Sequence, residues 1–209
     1  MPHSFLRLVH GLTQVFLDRL IDAKIALPSD GTQCLEPYQE YKCYPGIHKH
    51  SVQWSITGRC NYQCRHCFMS APDYHGEDLS LVQCVRIMDE LVENGVYNVS
   101  LTGGEPLVNP RFYEILDAMQ ERGLILDTIY SNGELVDGAL LDELERRGMR
   151  PVFHMSFDGV RWHDWLRGVE GAEEAVVRTF QLLRERGYQT SSSMCLHRHN
   201  IGDLRREDS

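Results

Sequence analysis

From His50 onward the apolar positions change rhythm at regular intervals. Short runs with the spacing of strands lie at Ser51 to Thr57, Val96 to Thr102, Leu124 to Tyr130, Pro151 to Phe157 and Gln189 to Leu196. Between them, apolar residues recur at helical spacing over Ser80 to Glu93, Pro110 to Arg122, Asp137 to Arg147 and Ala172 to Arg186. A glycine follows the last charged turn of each helix, at Gly95, Gly123, Gly148 and Gly187, where a left-handed residue closes a helix without steric cost. Strand and helix in strict alternation predict an α/β fold of parallel βαβ units, wound right-handedly with the helices outside.

Residues 1–50 follow another pattern. Phe5, Leu8, Leu12, Val15, Phe16, Leu20 and Ile25 keep helical rhythm between Ser4 and Leu27. Arg7, Asp18, Arg19, Asp22 and Lys24 interrupt that stretch. Each would cost roughly 2.5 to 3.5 kcal/mol at a bilayer centre, so an amphipathic helix docked on the domain is expected and a membrane span is not. A partner protein is the other surface that could cover its apolar face. Pro28, Gly31, Pro37, Pro45 and Gly46 then mark an irregular linker. Cys34 and Cys43 lie in it at a spacing that fits no strong metal motif; they read as free thiols, with an accessory cluster as the alternative.

Composition narrows the class. At 209 residues the chain can build one domain with a sizeable core. A formal charge of −9 disfavours nucleic acid and anionic membranes as partners, leaving small molecules or peptides. Seven cysteines, an odd number with three clustered, and no secretory signal point to a reducing, cytoplasmic compartment.

The unusual residues fall where strands run into helices, at the carboxyl ends at which α/β folds bind ligands. The first strand leads into Cys60-Asn-Tyr-Gln-Cys64-Arg-His-Cys67, the second into Gly103-Gly104-Glu105-Pro106, the third into Ser131-Asn132-Gly133, and the fourth into Ser156-Phe-Asp158-Gly159. Cysteines at i, i+4 and i+7 share one face, so their thiolates can hold one inorganic centre. Three sulfurs are one fewer than a closed site needs, which leaves one metal position for a ligand. The paired glycines let backbone approach a ligand closely. Chance would scatter such residues over both ends of the sheet.

CxxxCxxC, GGEP, SNG and SFDG in this order resemble the radical S-adenosylmethionine (radical SAM) superfamily. The likeness covers about Gln53 to Asn200 and is greatest to the branch that modifies peptides and proteins, which includes sulfatase maturases and enzymes with a C-terminal cluster-binding extension. The resemblance implies a partial (β/α)6 barrel in which Cys60, Cys64 and Cys67 ligate a [4Fe-4S] cluster. The amino and carboxylate groups of S-adenosylmethionine would chelate its fourth iron. Reduction would release methionine and a 5′-deoxyadenosyl radical that abstracts a substrate hydrogen. It also implies a one-electron reductant of flavodoxin or ferredoxin type.

Further roles follow by resemblance. His66 stands where the family usually has an aromatic residue near the adenine; direct metal ligation is its alternative. Gly103, Gly104 and Glu105 would receive the methionyl ammonium, against a plain strand-to-helix turn. Ser131 and Asn132 suit a ribose hydroxyl or an ordinary turn. Ser156 and Arg167 would bind the carboxylate, a guanidinium fork being suited to it, with a surface pair to Glu170 as the rival for Arg167. Asp158 and Gly159 are expected to shape the turn, with a ribose contact as the alternative.

Other residues keep structural readings. His154 and Met155 should divide between the two faces of their strand, with packing expected for both. Met194, Cys195, His197 and His199 should divide likewise on the fifth strand. Trp162-His163-Asp164-Trp165 reads as a loop, either a substrate lip or a packed lid. Asn200 resembles the N-cap of a charged helix over Ile201 to Ser209. The pattern supplies five strands where the family has six, so a shortened core over 51–209 is expected, its exposed edge covered by a partner or second copy. Two further functions compete: a non-catalytic cluster or SAM binder, and a zinc module using the three cysteines with His66.

Overall fold

The computed structural model describes residues 49–202 together with 18, 19, 21 and 22. Asp18, Arg19, Ile21 and Asp22 are helical, in keeping with the expected first helix, the rest of which lies outside the described residues with the linker, Cys34 and Cys43. From Ser51 onward, five strands alternate with helices: β1 (Ser51–Ser55), α1 (Leu81–Glu93), β2 (Asn98–Thr102), α2 (Phe112–Glu121), β3 (Ile125–Ser131), α3 (Gly138–Arg146), β4 (Val152–Ser156), α4 (His163–Arg167), α5 (Ala172–Glu185) and β5 (Thr190–Ser193).

All neighbouring strands pair in parallel, in the order β1-β2-β3-β4-β5. A sheet that grows in one direction by right-handed crossovers places its covering helices on one face. Strand alternation accordingly sends Trp54, Val99, Leu101, Ile129, Phe153 and Met155 into a core shared with Met88, Ile115, Leu116, Met119, Leu141, Leu144 and Leu183. The other face is polar. Ser55 and Thr102 are opposite each other, and Tyr130, His154 and Ser191 form a row across β3, β4 and β5. This open sheet with outer helices is the partial barrel expected.

The helix ends behave as the sequence predicts. Gly95, Gly123, Gly148 and Gly187 have φ of 74°, 65°, 67° and 69°. Ser80 begins α1 with a capping box: its hydroxyl accepts from Gln83 N at 3.3 Å while its own N–H donates to the Gln83 side chain at 2.9 Å.

Several expectations need correction. Trp162 to Trp165 is not a loop: His163–Arg167 forms a short helix closed by Gly168 at φ 69°, whose N–H donates to Asp164 O at 2.8 Å. β5 is not an apolar strand reaching Leu196. It comprises four exposed polar residues and stops at Ser193, because the Cys195 N–H turns away to Asp158 Oδ1 at 2.8 Å. His197 and His199 therefore do not alternate between sheet faces; both gather against Trp162 and Trp165, His199 stacking on Trp162 at 4.6 Å. Met155 is core, as expected, whereas His154 lies on the polar face beside Tyr130, its Nδ1 2.8 Å from Ser191 Oγ. Asn200 does not simply cap a following helix. Its side chain accepts from His197 N–H and donates to the Asp158 and Cys195 carbonyls; residues beyond 202 lie outside the described part.

Candidate active site

The cysteine loop is gripped on two flanks. On the β2 side, Gly104 N–H donates to Thr57 O at 3.0 Å and Glu105 N–H to Arg59 O at 2.8 Å. A Cβ at Gly103 would stand 2.3 Å from Thr57 O, and one at Gly104 would stand 2.2 Å from Arg59 O. Only glycine permits that approach. On the α4 side, Arg65 N–H donates to Leu166 O at 2.8 Å and Arg65 Nε to Trp165 O at 2.7 Å. A Cβ at Gly168 would meet Gln63 O at 2.3 Å. Beneath the loop Tyr62 is buried, with 1% of its surface exposed.

Each of the three cysteine sulfurs has one N–H donor. Tyr62 N–H reaches Cys60 Sγ at 3.4 Å, Ala71 N–H reaches Cys67 Sγ at 3.3 Å, and Arg167 Nη1 reaches Cys64 Sγ at 3.8 Å. Such donors stabilise thiolate over thiol. Burial pushes the Cys60 thiol up to about 11 and raises the Cys64 thiol as well. Half-buried cysteine sulfurs with aligned donors fit a metal centre, whose positive charge would deprotonate them. Among the described residues no three His, Cys, Asp or Glu side chains form a group that could hold one metal ion. His66 is largely exposed, and partial desolvation with the nearby Arg167 charge lowers its pKa.

Glu105 joins three loops. Its fully buried carboxylate accepts from Asn132 N–H at 2.8 Å, Leu107 N–H at 3.2 Å and Ser131 Oγ–H at 3.1 Å. Burial still pushes its pKa up to about 7, the three donors offsetting part of the desolvation. A carboxylate held this way has a standing electrostatic demand for a cation. Ser131 and Asn132 thus serve Glu105 in this structure, while Asn132 Nδ2 also donates to Asn61 Oδ1 at 2.8 Å and ties the SNG loop to the cysteine loop. Ser156, half-buried at the end of β4, lies on the polar face opposite Ser193.

Arg167 pairs with Asp158 and not with Glu170. Its Nε and Nη2 both lie 2.7 Å from Asp158 Oδ2. Asp158 does more than shape a turn: it is wholly buried, receives Cys195 N–H, and sits 3.3 Å from His163 Nδ1. Burial raises its pKa, but the neighbouring His163, the Cys195 N–H donor and the Arg167 charge prevail and hold it down at about 2. The sequence signal for this group was weak, since Asp158-Gly159 reads as turn chemistry and the partners lie five and nine positions away.

A parallel α/β sheet with a three-thiol loop and a buried carboxylate at its carboxyl rim has the architecture of an α/β enzyme, in which ligands bind at that rim. The Radical SAM superfamily pattern matches residues 54–206, and the chain belongs to that superfamily. Its enzymes use a [4Fe-4S] cluster and S-adenosylmethionine. The chain is 30% identical over 155 residues to Fe-coproporphyrin III synthase of Methanosarcina barkeri, covering 73% of this chain and 38% of that protein. It is 30% identical to the antilisterial bacteriocin subtilosin biosynthesis protein AlbA of Bacillus subtilis, covering 72% and 34%. It is 32% identical to mycofactocin maturase MftC of Mycobacterium ulcerans, covering 73% and 42%. The chain therefore spans well under half the length of these relatives. The fold is that of Streptococcus suis SuiB bound to precursor peptide SuiA, with a TM-score of 0.63 at 16% identity over 92% of this chain and 47% of that one. No helix among the described residues is long and apolar enough to cross a membrane.

Proposed function

We propose that this protein is a radical SAM enzyme core that reductively cleaves S-adenosylmethionine and abstracts hydrogen from a peptide or protein. The observation that carries the reading is the provision of one N–H donor to each of Cys60, Cys64 and Cys67 beside the buried, cation-seeking Glu105. Those cysteines would hold the cluster; when bound, it supplies the electron that splits the sulfonium into methionine and the 5′-deoxyadenosyl radical. Glu105 would take the methionyl ammonium, Gly103 and Gly104 giving backbone room. Ser156 and the Arg167 Nη1 edge would face the carboxylate. His66 would flank the adenine, and Ser131 and Asn132 would contribute through Glu105 and toward the ribose. The polar row of Tyr130, His154 and Ser191 faces the side on which substrate would enter.

Peptide modification is supported by two relatives, a bacteriocin biosynthesis protein and a maturase, and by the peptide-bound neighbour of the same fold. The electron would come from a flavodoxin- or ferredoxin-type donor in the cytoplasm. Anaerobic reconstitution with iron and sulfide, then dithionite and S-adenosylmethionine, is expected to release 5′-deoxyadenosine. A full cluster without release would overturn the activity. The rival reading is a cluster- or SAM-binding protein without turnover. A full cluster that binds S-adenosylmethionine without releasing nucleoside would select it. The zinc alternative predicts one zinc per chain after anaerobic purification, and no group suited to one ion is found among the described residues.

A further inference from the structure

The three cysteine sulfurs are not served alike. Cys60 and Cys67 take their hydrogen bonds from backbone amides of their own loop, so those bonds follow from the loop's path. Cys64 takes its bond from a side chain 103 positions away, and that side chain is a guanidinium. Arg167 is positioned for this by Asp158, whose Oδ2 holds both Nε and Nη2 and leaves Nη1 directed at the sulfur. The Arg167 side chain is 11% exposed and the Asp158 side chain 0%, so neither solvent nor salt screens the arrangement well. Asp158 is fixed in turn: its N–H donates to His163 Nδ1 at 3.1 Å, its Oδ1 accepts from Cys195 N–H at 2.8 Å, and its carbonyl accepts from Asn200 Nδ2 at 2.9 Å.

We propose that Asp158 and Arg167 form a clamp that raises the reduction potential of the cluster through Cys64, a role separate from any contact between Arg167 and S-adenosylmethionine. The inference rests on the cluster reading above. Reduction adds one negative charge to the cluster and its thiolates. A cationic donor on one thiolate stabilises that added charge more than it stabilises the oxidised form, as hydrogen bonds to cluster sulfurs do generally. Arg167 is here a positioning and tuning residue. The clamp also links the potential to the segment after β5, because Cys195 and Asn200 hold Asp158 in place.

The test is the midpoint potential of the reconstituted protein without S-adenosylmethionine, followed by the spin-resonance signal of the reduced cluster during a redox titration. Arg167→Gln removes charge and donor, and is expected to lower the midpoint by about 59 mV or more, a tenfold fall in the reduced-to-oxidised ratio at fixed donor poise. Arg167→Lys keeps the charge without the fork and should fall between the two; it also supplies the comparison if the glutamine variant does not load a full cluster. Ser156→Ala, which leaves the clamp intact, should keep the parent midpoint. Fully loaded glutamine and lysine variants with the parent midpoint would overturn the proposal, and would do so even if their affinity for S-adenosylmethionine fell, since that outcome assigns Arg167 to the carboxylate alone. A parent protein that takes up no cluster would instead refute the cluster reading, and the clamp with it.

Discussion

Glu105 shows how one buried side chain fixes a measurable pH dependence. Its folded pKa of about 7 lies above the ordinary 4.5, so between these values the folded chain keeps a proton that the unfolded chain has lost. Stability from this group therefore falls as pH rises from 4.5 to 7, and the loss is complete above 7. Glutamine mimics the protonated form. Relative to the unchanged protein without ligand, Glu105→Gln should gain stability between pH 5 and pH 8, read as a difference in thermal midpoints that grows with pH. An unchanging difference would show that the carboxylate is ionised throughout. The same substitution should abolish S-adenosylmethionine binding by removing the charge proposed to meet the ammonium. Gly104→Ala should impair cluster loading, because the added methyl would stand 2.2 Å from Arg59 O, a backbone atom that cannot swing aside.

At the level of elements, α4 is what the local pattern does not announce. Five residues are too few for a helical period, and a run with two tryptophans and a histidine carries no amphipathic signature. Its role emerges from contacts: Leu166 and Trp165 carbonyls receive the Arg65 donors, and Gly168 abuts Gln63. Gly168→Ala combines a positive φ with a clash against Gln63 O, and should loosen the cysteine loop. The expected readout is a cluster that loads poorly or bleaches faster in chelator, with the far-ultraviolet circular dichroism retained. By contrast α1 advertises itself, through Ser80 and Gln83. Ser80→Ala should cost about 1 kcal/mol, measurable by denaturant titration, and leave cluster uptake unaffected.

For the whole molecule, sequential strand order has a functional consequence. From Ser51 onward, among the described residues, the helices pack on one face of the sheet and the other face is polar, while the strand ends that carry chemistry meet on one rim. Substituting Cys60, Cys64 and Cys67 together by alanine should eliminate the brown chromophore after reconstitution and the release of 5′-deoxyadenosine. Secondary structure should persist, since the core of Val99, Leu101, Ile129, Phe153 and Met155 lies on the opposite face. Retention of iron and sulfide by the triple variant would place the cluster elsewhere.

The alternation of strands and helices, the glycine stops and each of CxxxCxxC, GGEP, SNG and SFDG are legible locally, because each depends on near neighbours in the chain, and the order of the four motifs needs only the linear sequence. They determined the parallel α/β architecture, the rim that holds the site and the superfamily. Tertiary structure decided what those residues do for one another. It placed Ser131 and the Asn132 backbone on Glu105, directed Arg167 through Asp158 to Cys64, bent Cys195 out of the sheet, and folded the two-tryptophan run into a helix against the cysteine loop. Burial is the physical reason for the difference. Whether a carboxylate, guanidinium or thiol is charged and paired depends on which distant groups share its low-dielectric surroundings, and spacing along the chain does not encode that.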